Sequence, residues 1–139
     1  MAICLDASVV VAALLPRPPS PAASRFLKDR VDERERLVAP PLLLAETTSV
    51  LRRHVHLGAI QHGEAIAALQ DILALPIEIL GPPRLYLMSL ELAQRLGHAR
   101  AYDVQYLAVA EYQGCPVVTL DQGLYESART LGIAARLLV

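Results

Sequence analysis

Lysine is nearly missing from this chain: among 13 basic residues in 139 positions, Lys28 is the only lysine and the other twelve are arginine. That scarcity excludes Schiff-base chemistry in a pocket, and with no G-x-x-x-x-G-K or G-x-G-x-x-G segment there is no glycine cradle for a nucleotide's phosphates. Cysteine occurs twice, at Cys4 and Cys115, both in apolar strand-like surroundings, so a disulfide scaffold is excluded and buried free thiols are expected. No apolar stretch reaches the ~18 residues needed to cross a bilayer, and no basic segment precedes a cleavable apolar run, so a cytoplasmic protein without membrane contact is expected. A net charge of −1 gives no molecule-wide field for nucleic acid; any such binding must come from a local patch.

Apolar residues are present in excess. The hydrophobic fraction is 54% and the mean hydropathy +0.38, which we read as surface intended for a partner, either a second copy or a separate chain. The length suits one domain spanning residues 1–139.

The segment that organises the chain is Ile3-Cys4-Leu5-Asp6-Ala7-Ser8, a short apolar run that meets a carboxylate and passes into Val9–Leu15. A run apolar on both parities suits a parallel strand covered on both faces, followed by a buried helix. The prolines of Pro16–Pro21 then impose a stiff turn, and Ser20 or Pro21 opens a helix that runs through Ala22 to about Arg30. The charge-dense stretch Lys28–Arg36 reads as a solvated helix end or loop. Further strands are expected at Leu37–Pro40, Ile77–Leu80, Val117–Leu120 and Ala134–Val139. Further helices are expected at about 41–56, 61–74, 84–96, 101–114 and 122–131. Alternation of this kind implies a parallel sheet of about five strands with helices on both faces, a three-layer α/β/α fold.

Four carboxylates stand out against this frame. Asp6 and Asp121 end the first and fourth strands, and right-handed crossovers bring both to the sheet's carboxyl edge. If those strands are neighbours, the two acids flank the switch point where ligands bind in such sheets. Glu46 interrupts the apolar stripe Leu42-Glu46-Val50, and Asp103 lies in the first turn of a helix; both can overhang the same edge. Taken alone, Asp103 reads as a helix cap, Asp6 or Asp121 as a loop cap, and Glu46 as the partner of a buried arginine. Taken together they need a cation, because two unit charges ~4 Å apart repel by about 4 kcal/mol even at an effective dielectric near 20. Oxygen-only ligands select a hard ion, Mg²⁺ or Mn²⁺, whose chemistry suits phosphodiester hydrolysis. Ser8 and Thr119 place hydroxyls two residues from Asp6 and Asp121, to orient water or contact phosphate; Ser8 reads equally as a cap. Arg52, Arg53, His54 and His56 suit the negative end of their helix, with phosphate contact as the alternative role.

The segments LDASVVVAALL from Leu5, PPLLLAETTSVLRR from Pro40, LGHARAYDVQYLAVAE from Leu96 and PVVTLD from Pro116 together resemble a PIN domain, and more narrowly the ribonuclease toxins of VapBC toxin–antitoxin pairs. The likeness spans essentially the whole chain. It implies that Asp6, Glu46, Asp103 and Asp121 form the family's acidic quartet, with Thr119 at its small hydroxyl position. It implies Mg²⁺- or Mn²⁺-dependent endoribonuclease activity that leaves a 5′-phosphate, a homodimer, and neutralisation by an antitoxin whose C-terminal segment covers the site. In this scheme Asp6, Asp103 and Asp121 hold the metal, directly or through water. Glu46 closes the shell and helps deprotonate the attacking water, while Arg52, Arg53, His98 and Arg100 are candidate RNA contacts. A phosphoacceptor receiver domain would need paired acids at the first strand and a lysine at the last, whereas the only lysine is Lys28 in a charge run. A catalytically silent PIN scaffold acting as a binding module is the alternative, although no acid of the quartet is missing.

Overall fold

Four consecutive buried residues, Ala2–Leu5, form β1 of the computed structural model, which describes residues 1–17 and 20–139. Helix α1 follows at Ala7–Leu14, then α2 at Pro21–Asp32, β2 at Arg36–Ala39 and α3 at Leu42–His56. Helix α4 (His62–Ala74), β3 (Ile77–Ile79), α5 (Pro83–Leu96) and α6 (Val104–Gln113) lead to β4 (Val117–Thr119), α7 (Gln122–Thr130) and β5 (Ala135–Leu137). Of the expected proline turn, Pro18 and Pro19 lie outside the described residues.

All strand pairs are parallel, in the order β3-β2-β1-β4-β5. The expected α/β fold with a five-stranded parallel sheet is therefore the one observed. Because β1 is central, both its faces must be covered, and its unbroken apolar run supplies side chains for both. Helix α6 lies across β1, β2 and β4, while α1 packs with α2, α3 and α4. Cys4, Leu5, Val9, Val10, Val38, Leu107 and Val117 are essentially inaccessible at the centre of the core. The two thiols are buried and unpaired. Among the described residues no helix is long and apolar enough to cross a membrane.

Two expectations need correction. The sixth helix begins at Val104 rather than Ala101, because residues 98–103 form a loop that meets α6 through turn bonds from Gln105 and Tyr106 N–H to the Tyr102 and Asp103 carbonyls. The core face of α3 is Leu43, Thr47 and Leu51, one position round from the stripe Leu42-Glu46-Val50, which is half-buried. One residue is 100° of helix rotation, so the stripe bearing Glu46 faces an opening beside the core instead of the core itself.

The β3–α5 turn packs closely against the start of α3. A Cβ at Gly81 would lie 2.6 Å from Pro41 Cγ, and a proline ring has little freedom to yield. Gly81→Ala is expected to destabilise the protein by about 1–3 kcal/mol through overpacking. Chemical unfolding measures this, and an unchanged midpoint would show that the turn moves freely away from α3.

Candidate active site

Asp6 directly follows β1, in extended conformation, and is only 5% exposed. Both its oxygens are engaged by hydroxyls: Ser8 Oγ donates to Oδ1 at 2.6 Å and Thr119 Oγ1 donates to Oδ2 at 2.7 Å. Val9 N–H adds a longer bond to Oδ1, 3.4 Å, which makes Asp6 the N-cap of α1. The hydroxyls are themselves oriented by backbone, since Ser8 Oγ accepts from Leu120 N–H and Thr119 Oγ1 accepts from Asp121 N–H, both at 2.9 Å. With their acceptor sides so occupied, their protons are directed at Asp6. Burial pushes the Asp6 carboxyl up to about 6; the Ser8, Thr119 and Val9 bonds oppose that rise, and the nearby Asp121 charge adds to it. Ser8 is thus not the cap of α1 but a clamp on the residue that is.

Asp121, at the end of β4, caps α7 by accepting from Leu124 N–H at 3.2 Å. Asp103 caps nothing, contrary to its reading as a cap when taken alone. The reason is its backbone, already helical at φ −64°, ψ −32°, whereas a capping side chain normally needs the extended backbone that Asp6 and Asp121 have. Its carboxylate is consequently exposed and uncommitted.

Glu46 is paired, but with Tyr106 and not with an arginine: the phenol donates to Oε1 at 2.6 Å. Burial raises the Glu46 pKa, the Tyr106 bond opposes this, and the Asp103 and Asp121 charges raise it further. Tyr106 is 2% exposed, and burial together with Glu46 holds its phenol protonated, so it remains a donor.

Asp6, Glu46, Asp103 and Asp121 all line one cavity of about 390 Å³ at the carboxyl edge of the sheet, where β1 and β4 adjoin. Its far wall is apolar, from Val11 on α1, Leu15 just past its end and Val50 on α3. His54 also lines it, two turns beyond Glu46 on the same stripe. His54 Nδ1 lies 2.9 Å from the Val50 carbonyl, which can only accept, so Nδ1 is the donor of this bond. Arg52 and Arg53 are exposed and do not line this cavity, whereas His98 and Arg100 lie in an adjoining hollow that shares Asp103. The sequence reading missed Tyr106 and placed His54 at the helix end, for capping or phosphate contact, and not in this cavity. Their spacing held the signal, since Tyr106 is three residues from Asp103 and His54 eight from Glu46, each on the same helix side as its acid.

Among the described residues no Arg or Lys forms an ion pair with any of the four acids. No three Asp, Glu, His or Cys side chains among them are drawn together as a ready-made metal shell. The donor set nevertheless suits a hard divalent cation: oxygens only, mutually repelling, with one carboxylate buried at a cost that no side-chain cation offsets.

A model of the PIN domain family matches residues 3–129. No curated protein matches the chain. Among solved structures, PAE2754 from Pyrobaculum aerophilum is 24% identical with a TM-score of 0.73, over 97% of this chain and 83% of that one. VapBC2 from Rickettsia felis, bound to a DNA fragment from its promoter, is 15% identical with a TM-score of 0.72 over 100% of both chains. Mycobacterium tuberculosis VapC20, a toxin that cleaves the sarcin–ricin loop, is 18% identical with a TM-score of 0.69 over 95% of this chain and 96% of that one. At such identities these likenesses carry the fold alone.

The Asp6 pKa has a consequence for stability. A carboxyl raised from 3.8 to about 6 on folding binds its proton more tightly in the native state, so ionisation between these values removes stability. In EDTA, wild-type stability relative to Asp6→Asn should therefore fall by about 3 kcal/mol as pH rises from about 4 to 7, measured by urea unfolding. A difference that is flat or rises with pH would mean that the hydroxyl clamp outweighs burial.

Proposed function

Because the chain belongs to the PIN domain family, we propose that it is a metal-dependent endoribonuclease of the VapC toxin type, working as a single domain over residues 1–139 in the cytoplasm. The observation that carries this reading is a buried, hydroxyl-clamped Asp6 sharing one cavity with Glu46, Asp103 and Asp121, with no cationic side chain paired to any of them.

When bound, Mg²⁺ or Mn²⁺ would polarise a phosphoryl oxygen and lower the pKa of water. Asp6, Asp103 and Asp121 are the residues that would hold it. Ser8 and Thr119 fix the rotation of the Asp6 carboxylate, and Oδ2, which carries the Thr119 bond alone, keeps a lone pair for the ion. Tyr106 secures Glu46 through Oε1, so Oε2 is the atom to accept a proton from the attacking water. The raised Glu46 pKa makes it a better proton acceptor than a solvated glutamate.

The same reading assigns partners. The apolar wall between α1 and α3 would seat the C-terminal segment of an antitoxin and so block access to the acids. Tyr86, Leu87 and Leu90, exposed on one side of α5, are an apolar surface for a second copy, consistent with the excess of apolar residues in the composition.

Purified protein is expected to cut members of a panel of structured RNAs in Mg²⁺ or Mn²⁺ and not in EDTA, with Asp6→Asn and Asp103→Asn each reducing the rate at least about 100-fold while leaving circular dichroism unchanged. Full activity in either variant would refute the assignment, and failure to cut any RNA alongside tight binding of a protein partner would favour a silent scaffold. Tyr106→Phe is expected to raise the metal concentration for half-maximal activity about tenfold by freeing Glu46, as read from metal titrations.

A further inference from the structure

The hollow that contains the acids does not end at Asp103. The same residue walls a second cavity of about 500 Å³ whose remaining lining is the α5–α6 loop, including His98, Arg100 and Tyr102. It also walls a third, of about 200 Å³, reached by His98 from one side and by Asp121, Gly123 and Ser127 from the other. Asp103 is therefore a ridge between the carboxylate cavity and a continuous surface built from this loop and the start of α7.

That surface carries an unusual set of free groups for so short a loop. Tyr102 is 61% exposed, more than any other tyrosine among the exposed large side chains. Arg100 and His98 are exposed too. Some arginines are committed, Arg17 to Glu64 and Arg36 to Glu78 in ion pairs and Arg84 and Arg129 over tyrosine rings; of those without such partners among the described residues, Arg100 is the one that lines the hollow beside Asp103. An uncovered aromatic face beside an uncommitted guanidinium is the combination that holds a base and its phosphate.

We propose that loop 97–103 forms a nucleotide subsite next to the carboxylate cavity, in which Tyr102 stacks on one base and Arg100, aided by His98, binds the neighbouring phosphate. The proposal rests on the ribonuclease reading of the acids and adds a selectivity to it. A paired base has both faces covered by its neighbours, and exposing one costs unstacking. The subsite therefore favours RNA that is unpaired where it crosses Asp103. Arg100 also offsets the repulsion between Asp103 and the incoming phosphate, which a chain with net charge −1 cannot do through its overall field.

Fluorescence anisotropy separates this from the nuclease reading, using a fluorescein-labelled RNA hairpin with an unpaired loop and the same sequence fully paired, in Mg²⁺, with full-length protein carrying Asp6→Asn. Adding Tyr102→Ala should weaken hairpin binding about tenfold, adding Tyr102→Phe should restore it, and duplex binding should be insensitive to residue 102. Arg100→Ala should weaken both RNAs and lower the slope of log affinity against log salt by about one. Equal hairpin binding by the Ala and Phe variants, or no binding of either RNA, would overturn the subsite. So would unchanged RNA binding with a dimer-to-monomer shift on Tyr102→Ala in sedimentation, which would give this face to a second copy. Cleavage by proteins with an intact Asp6 reports separately: unchanged KM in Tyr102→Ala sinks the subsite and spares the nuclease. Tyr102-dependent binding without any cleavage by wild type does the reverse.

Discussion

A carboxylate buried without a cation is the constraint on which the rest of this structure depends. Removing an ionised Asp from water costs several kcal/mol, and in most folds an arginine or lysine beside it would recover part of that. Here Asp6 is met only by the hydroxyls of Ser8 and Thr119 and one backbone amide, and burial still outweighs them. The clamp in turn requires β1 and β4 to be neighbours in one register. The pairing Leu5↔Val118 brings Thr119 level with Asp6, and the Leu120 and Asp121 amides then fix both hydroxyls. A slip of one residue would turn Thr119 to the other face of the sheet and cost Asp6 the bond to Oδ2.

The opposite wall follows the same logic with different groups. Glu46 is held across the cavity by a phenol from α6, which ties α3 to the helix that also positions Asp103. Neither acid is neutralised. Positive charge is available in the chain and is used elsewhere, in the Arg17–Glu64 pair between the proline turn and α4 and the Arg36–Glu78 pair between β2 and β3. The cavity therefore retains negative charge at some cost to stability, a pattern found where a fold reserves a place for a cation.

Much of the fold could be read from local pattern. The apolar runs at Ile3–Leu5 and Val117–Thr119 specify covered parallel strands, and Pro40, Pro41, Gly97 and Gly114 mark ends that the structure keeps. The acids were legible as chain positions, because strand ends and helix starts in an alternating pattern share one edge. Less legible were facts that turn on angles. The sequence cannot say which of two adjacent stripes on α3 faces the core, since Leu42-Glu46-Val50 and Leu43-Thr47-Leu51 differ by one residue and both are largely apolar. Nor does it reveal that Asp103 starts its helix with a helical backbone and so leaves its carboxylate free, whereas Asp6 and Asp121 are extended and cap theirs.

By itself, then, the sequence determined the order of strands and helices, the covered parallel sheet and the residue types gathered at its edge, because these follow from periodicity, chain breakers and the handedness of crossovers. Tertiary structure alone decided the strand order that sets Asp6 beside Thr119, the phenol that holds Glu46, and the opening of the cavity past Asp103 toward Tyr102. The first two rest on contacts between residues 60 or more positions apart, Asp6 with Thr119 and Glu46 with Tyr106. Such pairs leave no local signature, because their energies arise only once distant segments have been packed together.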